Sequence, residues 1–183
     1  MKEKRHIYMT GFMGAGKSKI GLLLAEQLSR PFFDTDRMIE QETGKTVKQI
    51  FEEEGEQAFR DQETDIVRRL CQSPQPAVIS LGGGALLKEE NDRMVRQTGT
   101  IIYIKSSPRY ILSRVKHTRK RPLLDVEEGP DFEQNLLSRI ESLLGQRKAL
   151  YESAHIIFDR DGLELEEILP MMLKYLQRYG IKG

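Results

Sequence analysis

The segment Gly11-Phe12-Met13-Gly14-Ala15-Gly16-Lys17-Ser18 fits the spacing G-x-x-x-x-G-K-[ST] at every specified position. Each residue type has a task there. Glycines let the backbone turn tightly and aim its N–H groups at phosphate oxygens. A helix starting at the end of the loop adds unpaired N–H groups and the positive end of its dipole. Lys17 adds a mobile charge for terminal phosphates, and the Ser18 hydroxyl is a ligand for a divalent cation. Residues 14–19 are therefore the candidate nucleotide-phosphate site: Gly14, Ala15, Gly16, Lys17, Ser18 and Lys19.

Two other polar clusters follow apolar runs. Asp34-Thr35-Asp36 closes one run, and Gly82-Gly83-Gly84 follows Ser80-Leu81 at the end of another. Each has an ordinary explanation: aspartates cap helices, and glycines make tight turns. Their shared position after strands is what points to a site. The strand carrying Ser80 offers no acid where many nucleotide hydrolases hold their metal, so Asp34 becomes the candidate metal carboxylate. That absence, with no Asn-Lys-x-Asp segment, argues against a motor ATPase or a switch GTPase. From Arg114 to Arg121 the chain carries five basic side chains and His117 before Pro122. This suits a cationic flap that closes over phosphate and excludes water, a competing acceptor. His117 reads as a bystander. Arg147-Lys-Ala-Leu-Tyr151, at the end of a long helical stretch, is unremarkable alone.

The elements that must position these residues are legible from periodicity. Strands are predicted at His6–Thr10, Pro31–Asp34, Ala77–Leu81, Thr100–Lys105 and His155–Asp159. Helices are predicted at Lys17–Ser29, Thr35–Glu42, Thr46–Leu70 with a break at Gly55, Leu86–Gln97, Pro108–Lys116, Phe132–Tyr151 and Leu163–Tyr179. Such βα alternation implies an α/β fold, a five-stranded parallel sheet with helices on both faces. Ligands then sit beyond the carboxyl ends of the strands, so Thr10-Gly11, Asp34–Asp36 and Ser80–Gly84 are expected to meet. The 183 residues suit one domain, 1–183. With 29 Lys and Arg against 28 Asp and Glu, no broad nucleic-acid or membrane surface is expected. One cysteine, Cys71, excludes an internal disulfide and suits a reducing compartment. No signal peptide is expected before the first strand, and no apolar run reaches membrane-spanning length. A cytoplasmic monomer is the expectation.

Taken together, the sequence resembles the shikimate kinase family over nearly its whole length. The resemblance rests, in chain order, on Gly11–Ser18, Asp34-Thr35-Asp36, Gly55-Glu56 with Phe59-Arg60 and Glu63, Gly82-Gly83-Gly84, Arg119–Leu124 and Arg147–Tyr151. It implies a nucleoside-monophosphate-kinase type of fold with an acceptor-binding region at about 35–63 and a mobile lid at about 114–130. It also implies ATP-dependent phosphorylation of the 3-hydroxyl of shikimate with Mg²⁺, giving shikimate 3-phosphate and ADP on the route to chorismate and aromatic amino acids. In that scheme Asp34 helps hold Mg²⁺, mainly through water, alongside Ser18. Asp36 contacts the acceptor hydroxyls and acts as base. Arg60 and Arg147 bind the acceptor carboxylate, and Gly82, Gly83 and Gly84 contact shikimate through the backbone. Arg121 is the lid arginine on the γ-phosphate, and Arg114 lies against the adenine. The chain departs mildly from the commonest pattern at Lys19, where a threonine is frequent.

Overall fold

The computed structural model describes residues 6–117, 122–127 and 129–181. Five strands form one sheet: β1 (His6–Thr10), β2 (Phe32–Asp34), β3 (Val78–Ser80), β4 (Gly99–Lys105) and β5 (Ile156–Asp159). All neighbours run parallel in the order β2-β3-β1-β4-β5. Among the described residues, eight α-helices connect and cover them: α1 (Lys17–Gln27), α2 (Thr35–Thr43), α3 (Val47–Glu53), α4 (Gly55–Gln72), α5 (Glu89–Thr98), α6 (Pro108–Val115), α7 (Phe132–Glu152) and α8 (Leu165–Arg178).

Strand side chains alternate between two apolar layers. Ile7 and Met9 of β1, Val78 of β3, and Ile102 and Ile104 of β4 pack with Ile20 and Leu24 of α1 and with Ile168 and Met172 of α8. Tyr8, Ile79 and Ile101 point the other way, onto Ile66, Val67 and Leu70 of α4 and Val95 of α5. Burying both faces is why these strands read as continuous apolar runs. A third cluster joins Phe12 and Tyr103 to Ile111 and Val115 of α6 and to Leu136, Ile140 and Tyr151 of α7. Among the described residues no helix is long and apolar enough to cross a membrane.

The predicted helix across 46–70 is two helices. Gly55, at φ +88°, turns the chain between α3 and α4, as its position suggested. The Thr46 side chain accepts from the Gln49 N–H and Gln49 reaches back to the Thr46 N–H, so α3 has a complete N-terminal cap. The stretch expected to be helical from Leu86 begins instead as a single 3₁₀ turn, Ala85–Leu87. Lys88 is extended (φ −82°, ψ 115°), which delays α5 to Glu89.

The strand order sets the site. Leaving β1, the chain moves to one side of it for β2 and β3, and β4 then lies on its other side. The connections therefore diverge at the carboxyl end of β1, which opens a crevice there. The Gly11–Ser18 loop occupies that end.

Candidate active site

The three strand ends that the sequence suggested would meet do so. The Leu81 N–H donates to the Met9 carbonyl at 3.0 Å, and the Gly82 N–H donates to Thr35 Oγ1 at 3.0 Å. Around this junction lie two cavities. One, of about 740 Å³, is lined by Gly14, Gly16, Lys17, Ser18, Asp34 and Arg114, among others. The other, of about 240 Å³, is lined on its polar side by Arg60, Glu63, Arg147 and the three glycines, and on its apolar side by Val47, Phe51 and Phe59. Met13, Asp36 and Gly83 belong to both walls.

The loop of the larger cavity is built for anions. Gly16 caps α1 with φ +94°, a left-handed conformation that a side chain would strain. Lys17 is buried, and its Nζ donates to the carbonyls of Gly11 at 2.8 Å and Phe12 at 3.1 Å. The ammonium is thus curled over the loop that lines the cavity. Ser18 Oγ donates to Asp34 Oδ2 at 2.5 Å. Asp34 also caps α2, its Oδ1 accepting from the Arg37 N–H at 3.3 Å, the ordinary role that its position after a strand allowed. A hydroxyl and a carboxylate in contact on one wall suit Mg²⁺, which takes few protein oxygens and completes its shell with phosphate and water. Among the described residues no group of three or more His, Cys, Asp or Glu could cage a metal.

Asp36 sits in the first turn of α2, held by the Asp34 cap two residues earlier. Its Oδ1 and Glu63 Oε1 face the same point above Gly82. A β-carbon there would overlap the Glu63 carboxylate and lie 2.8 Å from Asp36 Oδ1. Glycine is required at 82 for this close approach. Gly82→Ala is expected to cost about 1–3 kcal/mol of stability, the usual range for overpacking, and to weaken acceptor binding. An unchanged denaturation midpoint would show that the two carboxylates simply move aside.

Arg60 and Glu63 lie one turn apart on α4, and Arg60 Nη1 donates to Glu63 Oε2 at 2.9 Å. On its other side Arg60 Nη2 donates to Glu56 Oε1 at 3.0 Å. Burial lowers the affinity of Arg60 for its proton, but Glu63 and Glu56 more than restore it. The Glu63 carboxyl stands raised to about 7: burial pushes it up most, Arg60 pulls it part of the way back, Asp36 pushes it up and Arg147 pulls it down. Arg147, itself buried on α7, donates to the Gly83 carbonyl at 3.3 Å, and Tyr151 Oη donates to the same carbonyl at 2.6 Å. Burial raises the Tyr151 phenol, keeping it a neutral donor. Two distant arginines therefore face one small pocket, a geometry suited to a planar carboxylate.

Some participants had no assigned role in the sequence. Glu63 belonged to a motif only, although its i, i+3 spacing from Arg60 could have paired them. Tyr151 lies one helical turn after Arg147 on the same face, and its target was not legible. Arg160 was missed altogether. Its guanidinium stacks on the Tyr110 ring, 4.2 Å from the centroid, and Nη1 approaches the Gly16 turn. Arg114 is exposed on α6 beside Gly14, on the wall of the larger cavity. Arg121, with Arg119, lies outside the described residues. Of the segment 114–130 expected to form a lid, the described Pro122–Leu124 turn contributes Leu123 to the smaller cavity.

Comparison with known proteins gives a consistent result. A family model described as shikimate kinase matches residues 13–177. The chain is 39% identical to a shikimate kinase of Dechloromonas aromatica (strain RCB), over 97% of this chain and 93% of that protein. Its fold superimposes on a shikimate kinase from Acinetobacter baumannii solved in complex with shikimate, with TM-score 0.86, 35% identity, and coverage of 97% of this chain and 96% of that one. A gluconokinase from Sinorhizobium meliloti 1021 shares the fold at TM-score 0.58 and 21% identity, covering 96% of this chain and 93% of that one.

Proposed function

The chain belongs to the shikimate kinase family, and on that premise we propose how its residues perform the reaction: transfer of the γ-phosphoryl group of ATP to the 3-hydroxyl of shikimate, giving shikimate 3-phosphate and ADP. The observation that carries the assignment of roles is the shared wall at Asp36, between a phosphate-loop cavity and a pocket holding two arginines.

ATP occupies the larger cavity, its phosphates on the N–H groups of residues 14–19. Lys17 swings from the loop carbonyls to the phosphate oxygens. Arg114 flanks the adenine, and Arg121 reaches the γ-phosphate from the lid, 114–130. Mg²⁺, held through Ser18 and Asp34, supplies charge neutralisation on the phosphates when bound. Shikimate occupies the smaller cavity, in the acceptor-binding region 35–63. Arg60 and Arg147 take its carboxylate, the backbone of Gly82, Gly83 and Gly84 contacts the ring substituents, and the apolar wall of Val47, Phe51 and Phe59 takes the ring face. Asp36 then meets the 3-hydroxyl at the junction. It aligns the oxygen for attack and accepts its proton as the new bond forms. Phosphoryl transfer depends more on alignment and charge neutralisation than on a strong base, so alignment is the larger part of its task. We read the protein as one domain acting as a cytoplasmic monomer; a single free cysteine, Cys71, buried beside Tyr8, suits that compartment.

The test is Arg60→Ala with two acceptors. Losing a hydrogen bond to a charged partner costs about 1.5–3 kcal/mol, so the KM for shikimate should rise roughly 10- to 150-fold with little change for ATP. A shikimate analogue without the carboxylate should be handicapped far less. Equal losses on both acceptors would remove Arg60 from carboxylate recognition. Gluconate, run beside shikimate in an ADP-release assay, should give no comparable turnover.

A further inference from the structure

The acceptor pocket holds an unbalanced set of charges. Among the described residues two cations face it, Arg60 from α4 and Arg147 from α7. Three carboxylates face it as well: Asp36 and Glu40 from α2, and Glu63 from α4. Glu40 Oε1 is occupied by the Val47 N–H at 3.0 Å. Glu56 lies outside the pocket wall and binds the other side of Arg60. Tyr151 behind Arg147 is a neutral donor. A substrate that brings its own carboxylate adds one more negative charge to a space where, among the described residues, carboxylates already outnumber cations. Buried charge without compensation is costly, and an ionisable group nearby neutralises instead.

Glu63 is the group placed to do so. Its side chain is 1% exposed. Oε2 is bonded to Arg60, whereas Oε1 is buried with no hydrogen-bond partner among the described residues. That oxygen faces the same point over Gly82 as Asp36 does. The counter-charge that keeps Glu63 ionised is chiefly Arg60, with a smaller part from Arg147. These are the two groups that the substrate carboxylate engages.

We propose that shikimate binding is coupled to uptake of one proton from solvent by Glu63, on Oε1, so that the pocket exchanges one carboxylate charge for another. Building on the proposed acceptor-site geometry, this makes Glu63 a positioning residue. Once neutral, it holds Arg60 without competing for its charge, and it no longer repels Asp36. Burial, only partly offset by Arg60, raises the carboxyl to about 7 before substrate arrives, so the coupling operates in the neutral range. The sign follows from linkage. The arriving anion raises the proton affinity of Glu63. Uptake is therefore small where Glu63 is already protonated, below about pH 6, and grows above about pH 7. Affinity for shikimate falls as pH rises there, by up to roughly tenfold per pH unit for one linked proton.

The experiment is calorimetric titration of shikimate into the full chain at several pH values, in buffers of different ionisation enthalpy. Net uptake appearing near neutral pH and vanishing in acid is expected for the wild type. Glu63→Gln, which imitates the neutral form, is expected to show no uptake and a flat affinity profile. The analogue without a carboxylate is expected to take up no proton on the wild type. Zero uptake by the wild type throughout, or uptake that survives Glu63→Gln, overturns the proposal. Should the glutamine variant not fold, the wild-type pH series and the analogue decide. Absence of any binding heat would overturn the acceptor assignment along with it, whereas binding without uptake overturns only the proton linkage.

Discussion

Asp36→Asn lowers kcat by roughly 10²- to 10⁴-fold, the range for a positioned acid–base group. The substitution keeps the size of the side chain and one oxygen, so the first turn of α2 and its Asp34 cap should persist. What is lost is the negative charge at the wall common to the two cavities. The acceptor hydroxyl then has a neighbour that neither orients it by charge nor takes its proton. Steady-state rates with both substrates saturating measure the effect, and thermal unfolding checks that the fold is intact. The KM for ATP should stay within a few-fold of wild type, because Asp36 is not part of the phosphate loop. A kcat within threefold of wild type would move the chemistry to another residue. The variant also removes a charge that raises the Glu63 carboxyl, so proton uptake on shikimate binding should shift to lower pH.

Lys17→Ala produces the other large loss, on the order of 10²- to 10³-fold in kcat/KM, as for removal of a preorganised electrostatic donor. The ammonium is held by the Gly11 and Phe12 carbonyls. It is stored within reach of the loop, so little reorganisation is needed when phosphate arrives. Alanine removes that charge and also leaves two loop carbonyls without their donor. Both ATP binding and turnover should suffer, because the lysine meets phosphate in the ground state and in the transition state. Activity within twofold of wild type would contradict the phosphate-loop reading.

The phosphate loop was legible because it is a local device. Every one of its parts lies within residues 11–18, and the turn, the dipole and the lysine follow from near neighbours. The strands and helices were legible for a similar reason: their periodicity reports which faces are buried. The end of β1 at Gly11 and the break at Gly55 were visible as glycines in otherwise regular stretches. Boundaries were less so. Lys88 is extended in a segment whose composition suits helix, and nothing in the residues around it announces this.

The sequence by itself thus determined an α/β chain with an anion-binding loop after its first strand, and the resemblance supplied residues for an acceptor site. Tertiary structure decided which of them share a space. Strand order depends on how two apolar layers close across the whole chain, and it opens the crevice at the end of β1. The convergence of Arg147 and Tyr151 on the Gly83 carbonyl joins positions more than sixty residues apart, beyond any periodic signal. The same holds for Asp36 and Glu63 over Gly82. Each carboxylate is ordinary on its own helix. Only their shared burial, with Arg60 on one side and a glycine between them, sets one at the wall common to both cavities and raises the carboxyl of the other to about 7. Desolvation and charge proximity are properties of assembled space, and residue spacing along a chain does not encode them.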